Sequence, residues 1–165
     1  MAGTGAGTLA APFVNRGRSS LFAQNEYSTR TIDLVHQSVV VDMLGLLTLN
    51  WQKLERWQAS PLEFSKVERN KIRDSGITVF HPAVDVNTPD PYGTVYNWMR
   101  DWNRFIAQEP HYLLRIDTAE DLQRAKRENK IGIILGLQNS DHFRSVEDVR
   151  RFHSLGQRIS QLTYN

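Results

Sequence analysis

Lys130-Ile-Gly-Ile-Ile-Leu-Gly-Leu137 decides the fold. After Lys130 the run is apolar and carries no charge, so it reads as a strand buried on both faces. Strands of that kind belong to parallel sheets covered by helices, and the flanking sequence agrees. Upstream, Thr118-Ala-Glu-Asp121 has a capping pattern and opens a charged helix that runs to Asn129. Downstream, Ser145-Val-Glu-Asp148 caps a second helix, with Val146, Val149, Phe152 and Leu155 as its inward face. Gly156 stands just past its end, and Ile159 to Thr163 reads as the next strand.

The same alternation extends toward the N-terminus. Tyr112-Leu-Leu-Arg-Ile116 is a short strand. Before it, Val95, Trp98, Met99, Trp102, Phe105 and Ile106 recur at helical spacing, an aromatic stripe that reads as core packing against a sheet. Ile77 to Val84 and Ser38 to Leu44 are two further strands. Between them, Ser60-Pro-Leu-Glu63 predicts a helix start, with Phe64, Val67 and Ile72 on one face and Gly76 at the end. Strand and helix alternating at this spacing imply α/β architecture built of right-handed parallel βα repeats.

Composition narrows the possibilities. The chain has 165 residues and no Cys, which excludes a disulfide scaffold, a thiolate zinc site and a Cys nucleophile. A complete (β/α) barrel takes about 250 residues, so the chain is short for one. The net charge of +2 is nearly balanced, the basic clusters fall on helices as solvated faces, and no nucleic-acid motif is present. No apolar run is long enough for a transmembrane helix. Residues 1–25 are rich in Gly and Ala and stand outside the predicted fold. They read either as the remnant of a twin-arginine-like export signal, which would place the protein outside the cytoplasm, or as a disordered tail. The folded unit is therefore expected over residues 26–165.

Polar residues gather where the predicted strands end, which is where parallel α/β proteins place their chemistry. Asp42 ends the first strand, and His81 with Asp85 ends the second. Gln138, Asn139, Asp141 and His142 follow the central one, and Tyr164 with Asn165 ends the last. Imidazole and carboxylate on one rim can hold a divalent metal, or can act as a metal-free acid–base pair. His81 before Pro82 also reads as a hydrogen-bonded rim or core residue, and His142 as a loop-orienting one. There is no His-Glu-x-x-His, no Gly-x-Ser-x-Gly elbow and no Gly-rich phosphate loop.

Several segments resemble the membrane dipeptidase family (renal dipeptidases, peptidase family M19). They are Val40-Val-Asp42, Ser75-Gly-Ile-Thr-Val79, Ile131 to Leu137, and Phe152-His-Ser-Leu-Gly-Gln-Arg158 followed by Leu162-Thr-Tyr-Asn165. The resemblance implies the N-terminal half of a TIM-like barrel. It also implies metal-dependent hydrolysis of dipeptides or related small amides, with zinc as the cofactor and a small peptide or amide as the partner. The family's metal-binding His and Asp after the first strand align with Leu44 and Leu46. Its bridging Glu aligns with Gln138, and its His after Leu-Thr aligns with Tyr164. These departures leave three readings open. One is a divergent member with a rebuilt site, Gln138 and Tyr164 acting catalytically and His81, Asp85 and His142 binding substrate. The second is a non-catalytic binding protein that inherits the barrel. The third is an inactive truncated fragment. An unpaired sheet edge invites pairing with a second copy, so a homodimer is among the expectations. The same edge predicts poor solubility for the chain by itself, and a sharp cooperative melt of a monomer would contradict that expectation.

Overall fold

The computed structural model describes residues 27–162. The export-signal or tail expectation for residues 1–25 and the site expectation for Tyr164 lie outside them.

Helix α1 (Thr29–Gln37) leads to strand β1 (Val41–Asp42), then α2 (Trp51–Ala59) and α3 (Lys66–Asp74). Strands β2 (Val79–Phe80) and β3 (Ala83–Val84) precede the long α4 (Pro91–Gln108). Then come β4 (Leu113–Arg115), α5 (Ala119–Arg127), β5 (Ile131–Ile133), β6 (Leu135–Leu137), α6 (Val146–Ser154) and β7 (Gln157–Ser160). Thr118 and Asp121 form a reciprocal capping box and Ser145 accepts from the Asp148 N–H, as their sequences predict. Asp90 caps α4 by accepting from the Gly93 N–H in its first turn.

Every strand pairing is parallel. β2 and β3 follow one another along a single line of chain, broken at His81 and Pro82, and β5 and β6 do the same across Ile134. β1 pairs with β2, β2 with β5, and β3 with β6. The far edge of this central line is shared: β4 takes it at Ile131–Ile133, and β7 takes it from Leu135 onward. Chain order and sheet order therefore part company at β4, which flanks β5 instead of separating it from β2. Without β4, the order β1, β2–β3, β5–β6, β7 is that of one side of a barrel wall.

Alternation along the central line sorts its residues. Ile131, Ile133, Leu135 and Leu137 are all nearly fully buried and join the larger core. There they meet Val95, Met99, Trp102 and Phe105 of α4, none of which has any exposed surface. The aromatic stripe is core, as its spacing predicts. Truncating such a buried ring costs about 3–5 kcal/mol. On the other face, Val79, Ile116 and Ala125 form a smaller cluster with Val39, Val41 and Ile134 against it.

Two helices differ from their sequence expectations. Ser60 does not start a helix: its side chain makes no capping bond, and its N–H closes α2 on the Arg56 carbonyl. Pro61–Glu63 is a single 3-10 turn, and Ser65 caps α3 instead. The break lies at Phe64, which leaves helical geometry (φ −82°, ψ 73°) and buries its ring 4.7 Å from that of Trp57. Val67 then points outward, at 63% exposure. In α6 the inward face is Asp148 and Phe152, while Val146 and Val149 are 71% and 46% exposed. Asp148 faces in because the Arg144 N–H and guanidinium hold its carboxylate.

The turn from α6 into β7 is fixed by Gly156, at φ +105°. A Cβ there would lie 2.9 Å from Arg115 Cδ. Arg115 in turn donates to Asn103 Oδ1 at 2.6 Å and to Asp117 Oδ2 at 2.8 Å, and the Asn103 amide donates to the Leu155 carbonyl. One network thus joins α4, β4 and the start of β7. Gly156→Ala combines left-handed strain with this clash, an expected cost of about 1–3 kcal/mol. The check is the urea midpoint of Gly156→Ala against wild type, which should fall with the slope unchanged.

Candidate functional site

The site is built where β1, β3, β6 and β7 end. His81 lies in the break between β2 and β3 and is only 4% exposed. Its Nδ1 is 2.5 Å from the Met43 carbonyl oxygen. A carbonyl only accepts, so Nδ1 carries the proton and donates, and Nε2 has no partner among the described residues. The ring lies against Gly136 of β6, where a Cβ would stand 1.9 Å from Nε2. Glycine is therefore required at 136 for the imidazole to sit there. Through the Met43 carbonyl, His81 also anchors the loop that leaves β1. That loop folds back on Asp42, whose Oδ1 accepts the Leu44 N–H at 3.1 Å. A Cβ on Gly45 would meet the Asp42 carboxylate at 2.3 Å, which explains the glycine in this tight return.

A second cluster forms around Asn139, itself 5% exposed. Its Nδ2 donates to Asp85 Oδ1 and to the Val86 carbonyl, both at 2.9 Å, and lies 3.2 Å from Asp141 Oδ2. Two exposed carboxylates from different loops are thereby pinned to one buried amide. Gln138, half-buried, precedes Asn139, and its N–H donates to the Val84 carbonyl. Ser140 binds the end of β7, with its Oγ 2.9 Å from Ser160 Oγ and 2.7 Å from the Gln161 carbonyl oxygen.

His142 does not join this rim. It has no exposed surface and packs its ring 4.0 Å from Phe143 and 4.8 Å from Phe152. The Gln157 amide donates to the Ile159 carbonyl, so its Oε1 faces His142 and accepts from Nε2 at 3.0 Å. The buried Gln157 was not among the sequence candidates. Its only signal is a polar residue at the start of a strand, whose partner is fifteen positions away.

The sequence profile of the membrane dipeptidase family (peptidase family M19) matches residues 28–165. The chain belongs to that family. Two solved structures share the fold. An amidohydrolase from Pseudomonas aeruginosa superposes with a TM-score of 0.61 and 24% identity over 81% of this chain. A metallopeptidase of family M19, dipeptidase AC, superposes with a TM-score of 0.56 and 13% identity over 75% of this chain. The chain spans 36% and 42% of those two proteins' own lengths. No curated protein matches it. As an M19 chain with parallel sheets and alternating helices, it forms part of a TIM-like barrel.

M19 proteins are in general zinc-dependent, and the described residues do not fit that ion. No group of three or more His, Asp or Glu side chains among them is placed to hold a metal. Leu44, which is 64% exposed, and Leu46 offer no donor to a metal. Gln138 presents a neutral amide. The Nε2 of His81 is enclosed against Gly136, and Asp85 and Asp141 are two carboxylates on this rim with no imidazole beside them.

Burial pushes the His142 pKa below the usual imidazole value, against a smaller opposing effect of the Gln157 bond. The unfolded chain then binds a proton that the folded one refuses as pH falls below about 6.5. Stability from this residue is complete above that value and declines on acidification. Urea midpoints at about pH 7.5 and about pH 5.5 bracket the imidazole range. Wild type should lose more stability between them than His142→Gln, and equal losses would assign the acid sensitivity elsewhere.

Proposed function

We propose that the barrel to which this chain contributes binds dipeptides or related small amides at this rim and acts on them as a dipeptidase-like hydrolase. The observation that carries the reading is the carboxylate pair, Asp85 and Asp141, held on the buried Asn139 amide. A fixed pair of negative charges at the mouth of a barrel suits the α-ammonium group of a free dipeptide. Gln138 stands beside it with an amide that can both donate to and accept from a substrate peptide group. His81 supports this wall from behind, fixing the Met43 carbonyl and the turn over Asp42. No catalytic step is assigned to a metal on these residues, because their donor set does not fit one.

A second reading, binding without turnover, is favoured by the apolar Leu44 and Leu46 at family ligand positions. One experiment separates the two. Calorimetry with alanyl-alanine and with its N-acetyl derivative measures binding, and chromatography of released alanine measures turnover. Wild type should bind the free dipeptide and reject the acetylated one. Asp85→Asn should weaken binding by roughly 10–100-fold, the usual value of a charge-assisted bond. Gln138→Ala should weaken it less. Binding with release of alanine supports hydrolysis, and binding without release supports the second reading. Equal binding of both compounds would remove the ammonium assignment.

A further inference from the structure

The opposite end of the sheet, where the strands begin, carries a cavity of about 350 Å³ that neither the family nor the rim accounts for. Its walls come from the ends of α1, α3 and α5 and the starts of β2 and β5. The side chains that decide its character are His36, Arg73, Lys126 and Lys130, with Ile77 and Ile131 as an apolar floor. Among the described residues, no Asp or Glu lines it.

Basic residues at helix C-termini have an ordinary explanation, since they complement the helix dipole. Here the terminal carbonyls are already satisfied by backbone. Arg124, Ala125 and Lys126 of α5 accept from the N–H groups of Glu128, Lys130 and Asn129, and Ile72 and Arg73 of α3 accept from Ser75 and Gly76. The cations therefore keep most of their capacity. Arg73 uses Nη2 on the Asn129 carbonyl at 3.1 Å and stacks its guanidinium 4.1 Å from the Tyr112 ring, while its Nε has no partner among the described residues. Lys130 pairs with Glu128 at 2.7 Å, outside the lining. Lys126 is half-buried, and its side chain makes no hydrogen bond or ion pair with any described residue. Its stem lies along the cavity wall while its ammonium group stays free to meet an anion.

We propose that this cavity binds a small organic molecule through a phosphate group, with Lys126, Lys130 and Arg73 around the anion and Ile77 and Ile131 against its carbon skeleton. The volume lies within the range of about 300–1,000 Å³ typical of small-molecule sites. The site is distinct from the rim, so its occupancy should leave dipeptide binding unchanged.

The test is calorimetric titration of the whole chain with glycerol 3-phosphate and, separately, with inorganic phosphate. The expected result is saturable binding, tighter for the ester, that weakens when sodium chloride is raised about tenfold. Lys126→Met keeps the aliphatic stem and removes the charge, and it should weaken binding at least about tenfold. Arg127→Met makes the same charge change on the same helix outside the cavity, and it should bind as wild type does. Thermal melts confirm that both variants are folded. Absence of saturable binding, or equal weakening in the two variants, would overturn the proposal. Binding of inorganic phosphate alone would overturn the assignment of an organic ligand.

Discussion

The close approach of the His81 ring to Gly136 holds the functional half of the fold in register. β2–β3 and β5–β6 run side by side, and midway along them an imidazole occupies the volume that any other residue at 136 would fill. Because the ring sits there, its Nδ1 reaches the Met43 carbonyl and fixes the path of the chain leaving β1. Because β3 and β6 are held in that register, the Gln138 N–H meets the Val84 carbonyl. Asn139 is then close enough to bind Asp85 and Val86. The rim is thus a consequence of one missing side chain in a strand. A buried imidazole and a strand glycine each carry a cost when taken alone. Here the imidazole takes the space that the glycine leaves.

Much of this was legible in the sequence, and the reasons are local. The stripe from Val95 to Ile106 and the apolar run at 131–137 have periods that only one element satisfies. Thr118 and Ser145 cap because the capping bond closes within three residues. Gly76 and Gly156 stand at helix ends with positive φ, where glycine avoids a steric penalty. The rim residues after β3 and β6 followed from the same reading, since strand ends are fixed once the strands are.

What escaped the sequence depends on contacts between distant residues. The sequence points to Ser60 as the cap, and the burial of Phe64 between Trp57 and Phe105 breaks the helix so that Ser65 caps α3 instead. The inward face of α6 turns on Asp148 being held by Arg144, a contact that hydrophobic spacing does not encode. The place of β4 depends on which half of the far edge β7 leaves open. His142 looked like its rim neighbours because only the fold reveals Gln157 opposite it.

The central claim is that Gly136 admits His81 and that His81 then fixes the rim through Met43. A long-range proton–nitrogen correlation spectrum of the histidine rings tests it most directly. The account predicts that His81 is the Nδ1-protonated tautomer, with its Nδ1 proton protected from exchange by the Met43 carbonyl. An Nε2-protonated His81, or one whose Nδ1 proton exchanges as freely as that of the exposed His153, would contradict it.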